Sequence, residues 1–221
     1  MLVLTLVAPV LGTNCYVVAP DGGRECVVID PGIGVEEQLE KTFAEHSLEP
    51  AAVLVTHGHL DHTYALSELC RRRELPVHLH QDDAYRLSDP LGSLGPQLAQ
   101  QFAQFVEGWT PPPDVRPFEG AETELDLTGV VLRALHAPGH TEGSTLYHLP
   151  ADGVVFTGDV LFAGTVGRTD LPGGDDALMR ATLTRLASGD GLPGPTAVRP
   201  GHGPASTLDR ERASNPYLRG L

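Results

Sequence analysis

Short apolar runs separated by turn residues make up the N-terminal part of the chain. The runs at about residues 2 to 7, 13 to 19 and 24 to 29 have the length and β-branched content of strands. Gly12 and the PDGG sequence at 20 to 23 separate them. Because the connections are short, this pattern predicts a small antiparallel meander.

Strand and helix patterns then alternate. The sequence IDPGIG at 29 to 34 ends a strand, and a polar, periodic stretch that predicts a helix follows to about residue 46. The next apolar run predicts a strand at 52 to 55, and the spacing of Leu66 and Leu69 predicts an amphipathic helix beyond it. Residues 56 to 62 are therefore predicted to form a strand-to-helix turn.

Residues 82 to 113 have a different character. They are rich in helix formers, contain Phe102, Phe105 and Trp109, and end in three prolines that no helix can continue. The pattern predicts a helical excursion packed on the core. Its aromatic side chains either hold the excursion against the core or form one wall of a pocket.

A second strand-rich region begins at residue 115. The strand-like segments are VRPF, TELDL, VVLRALHA, STLYHL and GVVFTGD, and a helix near 175 to 187, a strand near 196 to 199 and a helical segment near 206 to 213 follow them. Two mixed halves of similar size predict an α+β fold in which helices cover both outer faces of two packed sheets, a four-layer αββα sandwich. The length predicts one domain spanning residues 1 to 221.

Composition narrows the classes of function. A net charge of −14, with Lys41 as the only lysine, argues against a protein that tracks a nucleic-acid backbone. Cys15, Cys26 and Cys70 form no CxxC pair and are expected to be buried, reduced thiols. The apolar N-terminus lacks a basic leader, and no later run reaches the roughly 20 apolar residues of a membrane span. We expect a cytoplasmic protein without membrane contact, and the sequence predicts no oligomeric state.

The turn at 56 to 62, THGHLDH, concentrates metal-ligand side chains. His57 and His59 are two positions apart, so an extended turn directs both imidazoles to the same side, and Asp61 and His62 follow as the chain enters the helix. Three more ligand types stand beside glycines in turns that follow apolar strands, namely His140 in HAPGHTEGS, Asp159 in VVFTGDV and His202 in VRPGHGP. A single metal would leave some of these side chains unused.

The other histidines are interpreted differently. We expect His46, His78, His80 and His148 to be incidental surface residues, whereas His136, just before the turn with His140, is a candidate for supporting a ligand. Asp159 taken alone would be read as a turn or cap residue. Four ligand types within six positions after a strand are much less readily explained as incidental.

Together THGHLDH, HAPGH, FTGD and PGHG, in this order, resemble the metallo-β-lactamase superfamily from IDPG at 29 to GHGP at 201 to 204. FTGDVLFAGTVGRTDLPGGD and the C-terminal GHGPASTLDRERASNP resemble the glyoxalase II-like hydrolases, or hydroxyacylglutathione hydrolases, more than the antibiotic-degrading lactamases. The latter place a cysteine where this chain has Asp159. The resemblance implies the metallo-β-lactamase fold.

The resemblance also implies a ligand set for two divalent metal ions. His57, His59 and His140 would hold one, Asp61, His62 and His202 the other, and Asp159 would bridge them. Imidazole and carboxylate ligands suit zinc, our first choice, and also iron or manganese. Two such cations would share a hydroxide formed at neutral pH and polarise a substrate carbonyl. We therefore expect a thioesterase acting on a small-molecule substrate, with Asp61 orienting the nucleophile or taking its proton.

Several residues are candidates for supporting this site. Asp30 and Thr56 are expected to accept hydrogen bonds from ligand histidines, although Asp30 could equally be a turn aspartate. Arg168 either pairs with Asp170 or Asp175 or contacts an anionic substrate. Tyr64, where many relatives have glycine, either narrows the site or lies on a helix face.

Two other functions stay open. A persulfide dioxygenase with one iron keeps the same HxHxDH sequence but uses only the equivalents of His57, His140 and Asp159 as protein ligands. The second is a metal-binding protein without turnover. Glyoxalase II enzymes carry a C-terminal helical domain that holds glutathione, whereas 19 residues follow His202 here. The pocket is therefore expected to come from the 82 to 113 excursion, near the active site, and the 162 to 175 loop.

Overall fold

The structure, a computed structural model, describes residues 1–189 and 191–221. Six strands form the first sheet: β1 (Leu2–Val7), β2 (Asn14–Ala19), β3 (Glu25–Ile29), β4 (Glu49–Leu54), β5 (Val77–His80) and β6 (Val115–Phe118), in that spatial order. The first three strands pair antiparallel and confirm the predicted meander. The remaining neighbours pair parallel. Parallel neighbours need a crossover, and helices α1 (Glu36–His46), α2 (Leu60–Thr63) and α3 (Leu66–Arg73) supply the first two.

The second half of the chain forms another sheet. Its strands are β7 (Glu122–Leu127), β8 (Val130–His136), β9 (Thr145–Leu149) and β10 (Val154–Gly158), with β13 (Ala197–Pro200) and β14 (Ser206–Thr207), in the order β14-β13-β10-β9-β8-β7. A two-stranded hairpin, β11 (Leu161–Phe162) and β12 (Thr165–Val166), lies apart from both sheets. The remaining α-helices are α4 (Gly95–Phe102), α5 (Asp176–Ser188) and α6 (Leu208–Ser214).

Three apolar clusters define four layers. Between the sheets, Ile29 and Leu54 pack with Leu132, Tyr147 and Phe156. On the outer face of the first sheet the cluster contains residues of α1 and α3, and on the outer face of the second it contains residues of α5 and α6. This arrangement is the αββα sandwich that the strand and helix pattern predicted, and it agrees with the metallo-β-lactamase fold that the resemblance implied.

Two strands of the first sheet differ from the sequence prediction. The segment VRPF, assigned to the second strand-rich region, is β6 and pairs with β5 at the edge of the first sheet. Strand β5, VHLH, was not predicted, because two of its four residues are histidines and its apolar run is too short to stand out. In the described residues no helix is long and apolar enough to cross a membrane.

Residues 82 to 113 form the predicted helical excursion in short pieces. A 3-10 helix spans Gln81–Leu87, α4 follows, and a 3-10 turn spans Ala103–Phe105. Trp109 packs against the outer cluster of the first sheet, and its Nε1 donates a hydrogen bond to the carbonyl oxygen of Tyr64 at 3.1 Å. The indole therefore anchors the end of the excursion, as the first of the two interpretations expected.

Candidate metal centre

The candidate ligands lie at one edge of the sandwich because each follows the carboxyl end of a strand. His57 and His59 follow β4, His140 follows β8, Asp159 directly follows β10, and His202 follows β13. Strands that end at the same edge bring residues far apart in the chain together. The loop of His202 is tied to the first sheet, since Asn14 donates from its backbone N–H to Gly201 and from Nδ2 to Pro200.

His57, His59 and His140 form one group of buried imidazoles. Nδ1 of His59 lies 2.9 Å from Nε2 of His140. The ring centroid of His57 is 4.8 Å from that of His59 and 4.7 Å from that of His140. Three imidazoles that converge in this way are a typical donor set for a transition-metal ion.

Asp61, His62 and His202 form a second group. Nε2 of His202 lies 3.2 Å from Oδ2 of Asp61 and 3.4 Å from Nε2 of His62. His62 is fully buried, whereas Asp61 and His202 keep side-chain exposures of 18% and 28%. The second group therefore has an edge that solvent reaches.

Asp159 lies between the two groups. Its Oδ2 is 3.7 Å from Nε2 of His140 and 3.6 Å from Nε2 of His202, and its Oδ1 is 3.3 Å from Nε2 of His62. Within 3.7 Å the carboxylate thus has His140 of the first group and His62 and His202 of the second, and one of its oxygens also lies within 4.8 Å of a ring nitrogen of His57. This is the position that the resemblance implied for a bridging ligand.

Hydrogen bonds from Asp30 and Thr56 set the tautomers of two histidines. Asp30 Oδ2 accepts from the Thr56 hydroxyl at 2.6 Å and lies 3.0 Å from Nδ1 of His62. The Thr56 oxygen, having donated its own proton, can accept from Nδ1 of His57 at 3.2 Å. With both Nδ1 atoms protonated, the Nε2 atoms of His57 and His62 are left with the lone pair that a metal requires.

Arg168 supports His140 through its backbone. Nδ1 of His140 lies 2.7 Å from the Arg168 carbonyl oxygen, which can only accept, so the ring donates there and Nε2 carries the lone pair. The guanidinium forms two hydrogen bonds with Asp170, at 2.6 and 2.7 Å. Asp175, the other expected partner, instead caps α5 by accepting from the backbone of Leu178.

The environment lowers the pKa values of two histidines in the first group and raises those of the two histidines in the second. Burial lowers the pKa of His57 well below its usual range and that of His59 to about 3. For His62 burial also acts to lower the pKa, but the carboxylates of Asp159 and Asp61 outweigh it and raise that pKa. The pKa of His202 is raised too, because the hydrogen bond with Asp61 and the charge of Asp159 outweigh its burial.

The donor set fits divalent cations. In the described part of the chain, His57 Nε2 and Asp159 Oδ1 are buried without a hydrogen-bond partner, which is rare for buried polar atoms. Both atoms lie in the groups just described, and the three free cysteines are buried elsewhere. A site of imidazole and carboxylate without thiolate is typical of catalytic rather than closed structural metal sites.

An apolar pocket of about 230 Å³ opens over the cluster and includes His59, Asp61, His140 and Asp159 in its lining. Its apolar walls are Leu11, Leu60, Leu94, Leu98, Phe102 and Leu171. The excursion therefore contributes a wall through Phe102, which bears out the second interpretation for that aromatic alone. Tyr64 faces a separate groove with Ser67 and Trp109 and packs edge-on against Phe105. Of the two interpretations of Tyr64, this position matches the one that places it on a helix face, here the face turned to the excursion.

The histidines expected at the surface have different environments. His46 is exposed and His78 is half-buried, but His80 and His148 are only 4% and 2% exposed. That expectation is wrong for the latter two, because β5 and β9 lie inside their sheets. His80 stacks on His136 with ring centroids 3.9 Å apart, and Asp82 lies beside both. Nε2 of His136 donates to the Glu142 carbonyl at 2.7 Å, so His136 supports the backbone after His140 and lies outside the two groups around Asp159.

Sequence reasoning missed Asp83 and Arg86, which are both fully buried. Nε of Arg86 donates to Oδ1 of Asp83 at 3.1 Å. Their spacing of three residues within a helical stretch is that of an ion pair, but such pairs usually lie at the surface. Only the packing of the excursion reveals that this pair is internal.

The family model of the metallo-beta-lactamase superfamily matches residues 8–207, and the chain belongs to this superfamily. An uncharacterized protein of Mycobacterium leprae is 40% identical over all of both chains. The probable metallo-hydrolase YqgX of Bacillus subtilis is 34% identical over 97% of this chain and 96% of that protein. Hydroxyacylglutathione hydrolase GloC of Haemophilus influenzae is 34% identical over 93% of this chain and 92% of that protein. The membership and these similarities indicate a metallo-hydrolase.

Solved structures agree with the assignment of the chain to the metallo-beta-lactamase superfamily. BLEG-1 B3 metallo-beta-lactamase superposes with a TM-score of 0.83 at 32% identity and covers 99% of this chain and 100% of that one. TTHA1623, crystallised in a di-iron-bound form, gives a TM-score of 0.80 at 38% identity over 97% of this chain and 100% of that one. ETHE1 from Myxococcus xanthus gives 0.76 at 27% identity over 100% of this chain and 85% of that one.

Proposed function

We propose that the protein is a dinuclear metal-dependent hydrolase that cleaves small-molecule thioesters. The observation that carries this proposal is the position of Asp159, whose carboxylate has neighbours within 3.7 Å in both groups of histidines. A carboxylate so placed suits the bridging ligand of two cations. The similarity to hydroxyacylglutathione hydrolase GloC supports the reaction class, and the di-iron-bound form of TTHA1623 supports a dinuclear centre.

In the proposed centre, His57, His59 and His140 hold one cation, Asp61, His62 and His202 hold the other, and Asp159 contacts both. We propose zinc, with iron and manganese as the alternatives that imidazole and carboxylate ligands also accept. When bound, two cations supply Lewis acidity and lower the pKa of water to about 7. All remaining functions in the reaction are assigned to side chains of this protein.

Asp61 is proposed to orient the attacking water. It lines the pocket, and its Oδ2 is held by the Thr13 hydroxyl at 3.2 Å and by His202 at 3.2 Å. Burial acts to raise the pKa of Asp61, but His62 and the hydrogen bond from His202 outweigh it, so the carboxyl is ionised at neutral pH. An ionised carboxylate can accept a hydrogen bond from water and so orient it for attack.

The apolar pocket is proposed to hold the acyl part of the substrate. Its aliphatic walls exclude water from the reacting carbonyl, which strengthens electrostatic interactions there. A thiol leaving group has a pKa of about 8.5, so it can leave as thiolate without a separate general acid. Among the described residues that line the pocket, Arg168 is the only arginine or lysine, and it is paired with Asp170, so recognition of an anionic carrier such as glutathione is not part of the proposal.

A second candidate is a persulfide dioxygenase with a single iron. The similarity to ETHE1 gives it some support, and the ligands it requires, His57, His140 and Asp159, are within the same cluster. The two candidates differ in the number of metal ions and in the use of dioxygen. A metal-binding protein without turnover is a third and lesser candidate.

One experiment separates the three. Metal content per chain is measured on anaerobically purified protein, and initial rates are measured on S-lactoylglutathione, on acyl thioesters of a smaller thiol and on glutathione persulfide with an oxygen electrode. Close to two metals per chain with thioester cleavage is expected. One iron with oxygen consumption would instead establish the dioxygenase, and metal without activity on thioesters, esters or lactones would support the non-catalytic protein.

A further inference from the structure

The carboxylate of Asp83 connects the two loops that carry the first group of histidines. Oδ2 accepts from the backbone N–H of Gly58 at 2.7 Å and from the Thr141 hydroxyl at 2.8 Å. Oδ1 accepts from the backbone N–H of Gly143 at 2.8 Å. Gly58 lies between His57 and His59, and the other two partners are one and three residues beyond His140.

The two glycines are required by this close approach. A Cβ at Gly58 would lie 2.7 Å from Cβ and Cδ of Arg86, and a Cβ at Gly143 would lie 2.7 Å from Cβ of Asp83. Both distances are shorter than side chains tolerate, so any larger residue would push the 3-10 helix away from a ligand loop. The loops are therefore shaped to receive this one turn of the excursion.

Arg86 compensates the charge of Asp83. It is fully buried, and besides its bond to Asp83 it pairs with Glu142 and donates to the Pro172 carbonyl at 3.3 Å. Glu142 lies directly between Thr141 and Gly143, so the ion pairs tie the same loop a second time. A buried carboxylate with four hydrogen bonds and a charged partner holds its neighbours rigidly.

We infer that Asp83 is a positioning residue for the first metal, acting through His57, His59 and His140 without contacting the cation. Ligand histidines hold their geometry only when the surrounding hydrogen bonds fix them, and losing such a partner typically costs about 10–100-fold in metal affinity. The inference rests on the metal-binding role proposed for the cluster. According to this inference, the first turn of the excursion aligns the loop after β4 with the loop after β8.

The test compares Asp83→Asn with wild type and with Asp82→Asn. Asp82 occupies the neighbouring position, its side chain is 52% exposed, and its carboxylate lies beside His80 and His136 rather than on the two ligand loops, so it controls for charge removal. Each carboxylate oxygen of Asp83 accepts two hydrogen bonds. In asparagine an NH2 group replaces one of these oxygens, so in either orientation it would face two hydrogen-bond donors that it cannot accept from. Affinities for the two metal ions are measured by competition with a chelator, and Co²⁺-loaded protein is examined by visible absorption.

Asp83→Asn is expected to weaken binding of one cation by about 10–100-fold and to change the Co²⁺ spectrum, while the second cation and the Asp82→Asn protein match wild type. Two cations bound by Asp83→Asn with wild-type affinity and spectrum would overturn the inference. If Asp83→Asn does not fold, Thr141→Val decides in the same assay, since it removes one donor to the carboxylate. A wild-type protein that binds no metal would refute the proposed function instead, before any variant is compared.

Discussion

Asp30 Oδ2 lies 3.0 Å from Nδ1 of His62, and both side chains are at most 1% exposed. Asp30 has a left-handed φ of 52°, which aspartate tolerates better than most residues. Its other oxygen accepts from the backbone N–H of Thr56 at 2.7 Å. A turn residue at the end of β3 therefore holds the imidazole that faces Asp159 and His202.

Changing Asp30 to Asn should weaken the binding of the cation at Asp61, His62 and His202 more than that of the other cation. The amide keeps the size of the side chain, but its NH2 group meets a donor at either Thr56 or His62. We expect about 10–100-fold weaker binding of one cation, measured by competition with a chelator. Asp21→Asn is the matched control, because Asp21 is an exposed turn aspartate. Equal affinities in the two variants would show that Asp30 is only a turn residue.

Removing the carboxylate at position 159 should affect both metal groups. Asp159→Ala deletes a carboxylate with neighbours in both groups, so we expect loss of at least one metal per chain and a thioesterase rate reduced by more than about 100-fold. Elemental analysis and initial rates on one thioester provide the two measurements. Both metals retained at a full rate would contradict the bridged-pair proposal.

The two cations should be released at different pH values. The raised pKa values of His62 and His202 mean that protons already compete with metal there near neutral pH, whereas the lowered pKa values of His57 and His59 keep those rings neutral in acid. As the pH falls, the cation at Asp61, His62 and His202 should therefore leave first. The number of metal ions that each chain retains after dialysis at pH values between about 8 and 5 shows whether the two cations are released in separate steps.

The variant His202→Ala checks whether the cation that is released first is the one at Asp61, His62 and His202. If the pH argument holds, this variant should lack the acid-sensitive step of metal release and keep the other. Simultaneous release of both metals in the wild type would count against separate proton competition at the two groups.

Tyr147 should contribute to stability from the centre of the sandwich. Its side chain is fully buried, and its hydroxyl donates to the Val55 carbonyl oxygen at 2.9 Å, two residues before His57. Tyr147→Phe leaves that carbonyl without this partner, so we expect the free energy of unfolding to fall by about 1–2 kcal/mol. Urea denaturation measures this free energy of unfolding. The control is Tyr217→Phe, which changes a half-exposed residue and should leave the free energy of unfolding nearly the same. Equal losses in the two variants would argue against a specific role for the buried hydroxyl.

The strand prediction for the meander was accurate because its apolar runs are long and its turns contain glycine and proline. The observed strands Leu2–Val7, Asn14–Ala19 and Glu25–Ile29 agree with the expected bounds to within one residue at each end. The loops that carry the candidate ligands could also be predicted, because a histidine or aspartate beside glycine after an apolar strand is a local sequence pattern. Thr56 was also expected to support these ligands, with Asp30 either supporting them or serving as a turn aspartate, and both side chains lie within hydrogen-bond distance of candidate ligand histidines.

The sequence by itself determined the order of most strands and helices, the sandwich class and the turns that carry the candidate ligands, because each is encoded by periodicity and turn chemistry within a few residues. Tertiary structure alone decided that β6 joins the first sheet, that His80 and His148 are buried, that Tyr64 faces away from the pocket and that Asp83 connects two ligand loops. Each of these depends on which distant segments pack together, and the contact between Asp83 and Gly143 spans 60 residues of chain. Local propensity carries no information about such pairings until the sheets have assembled.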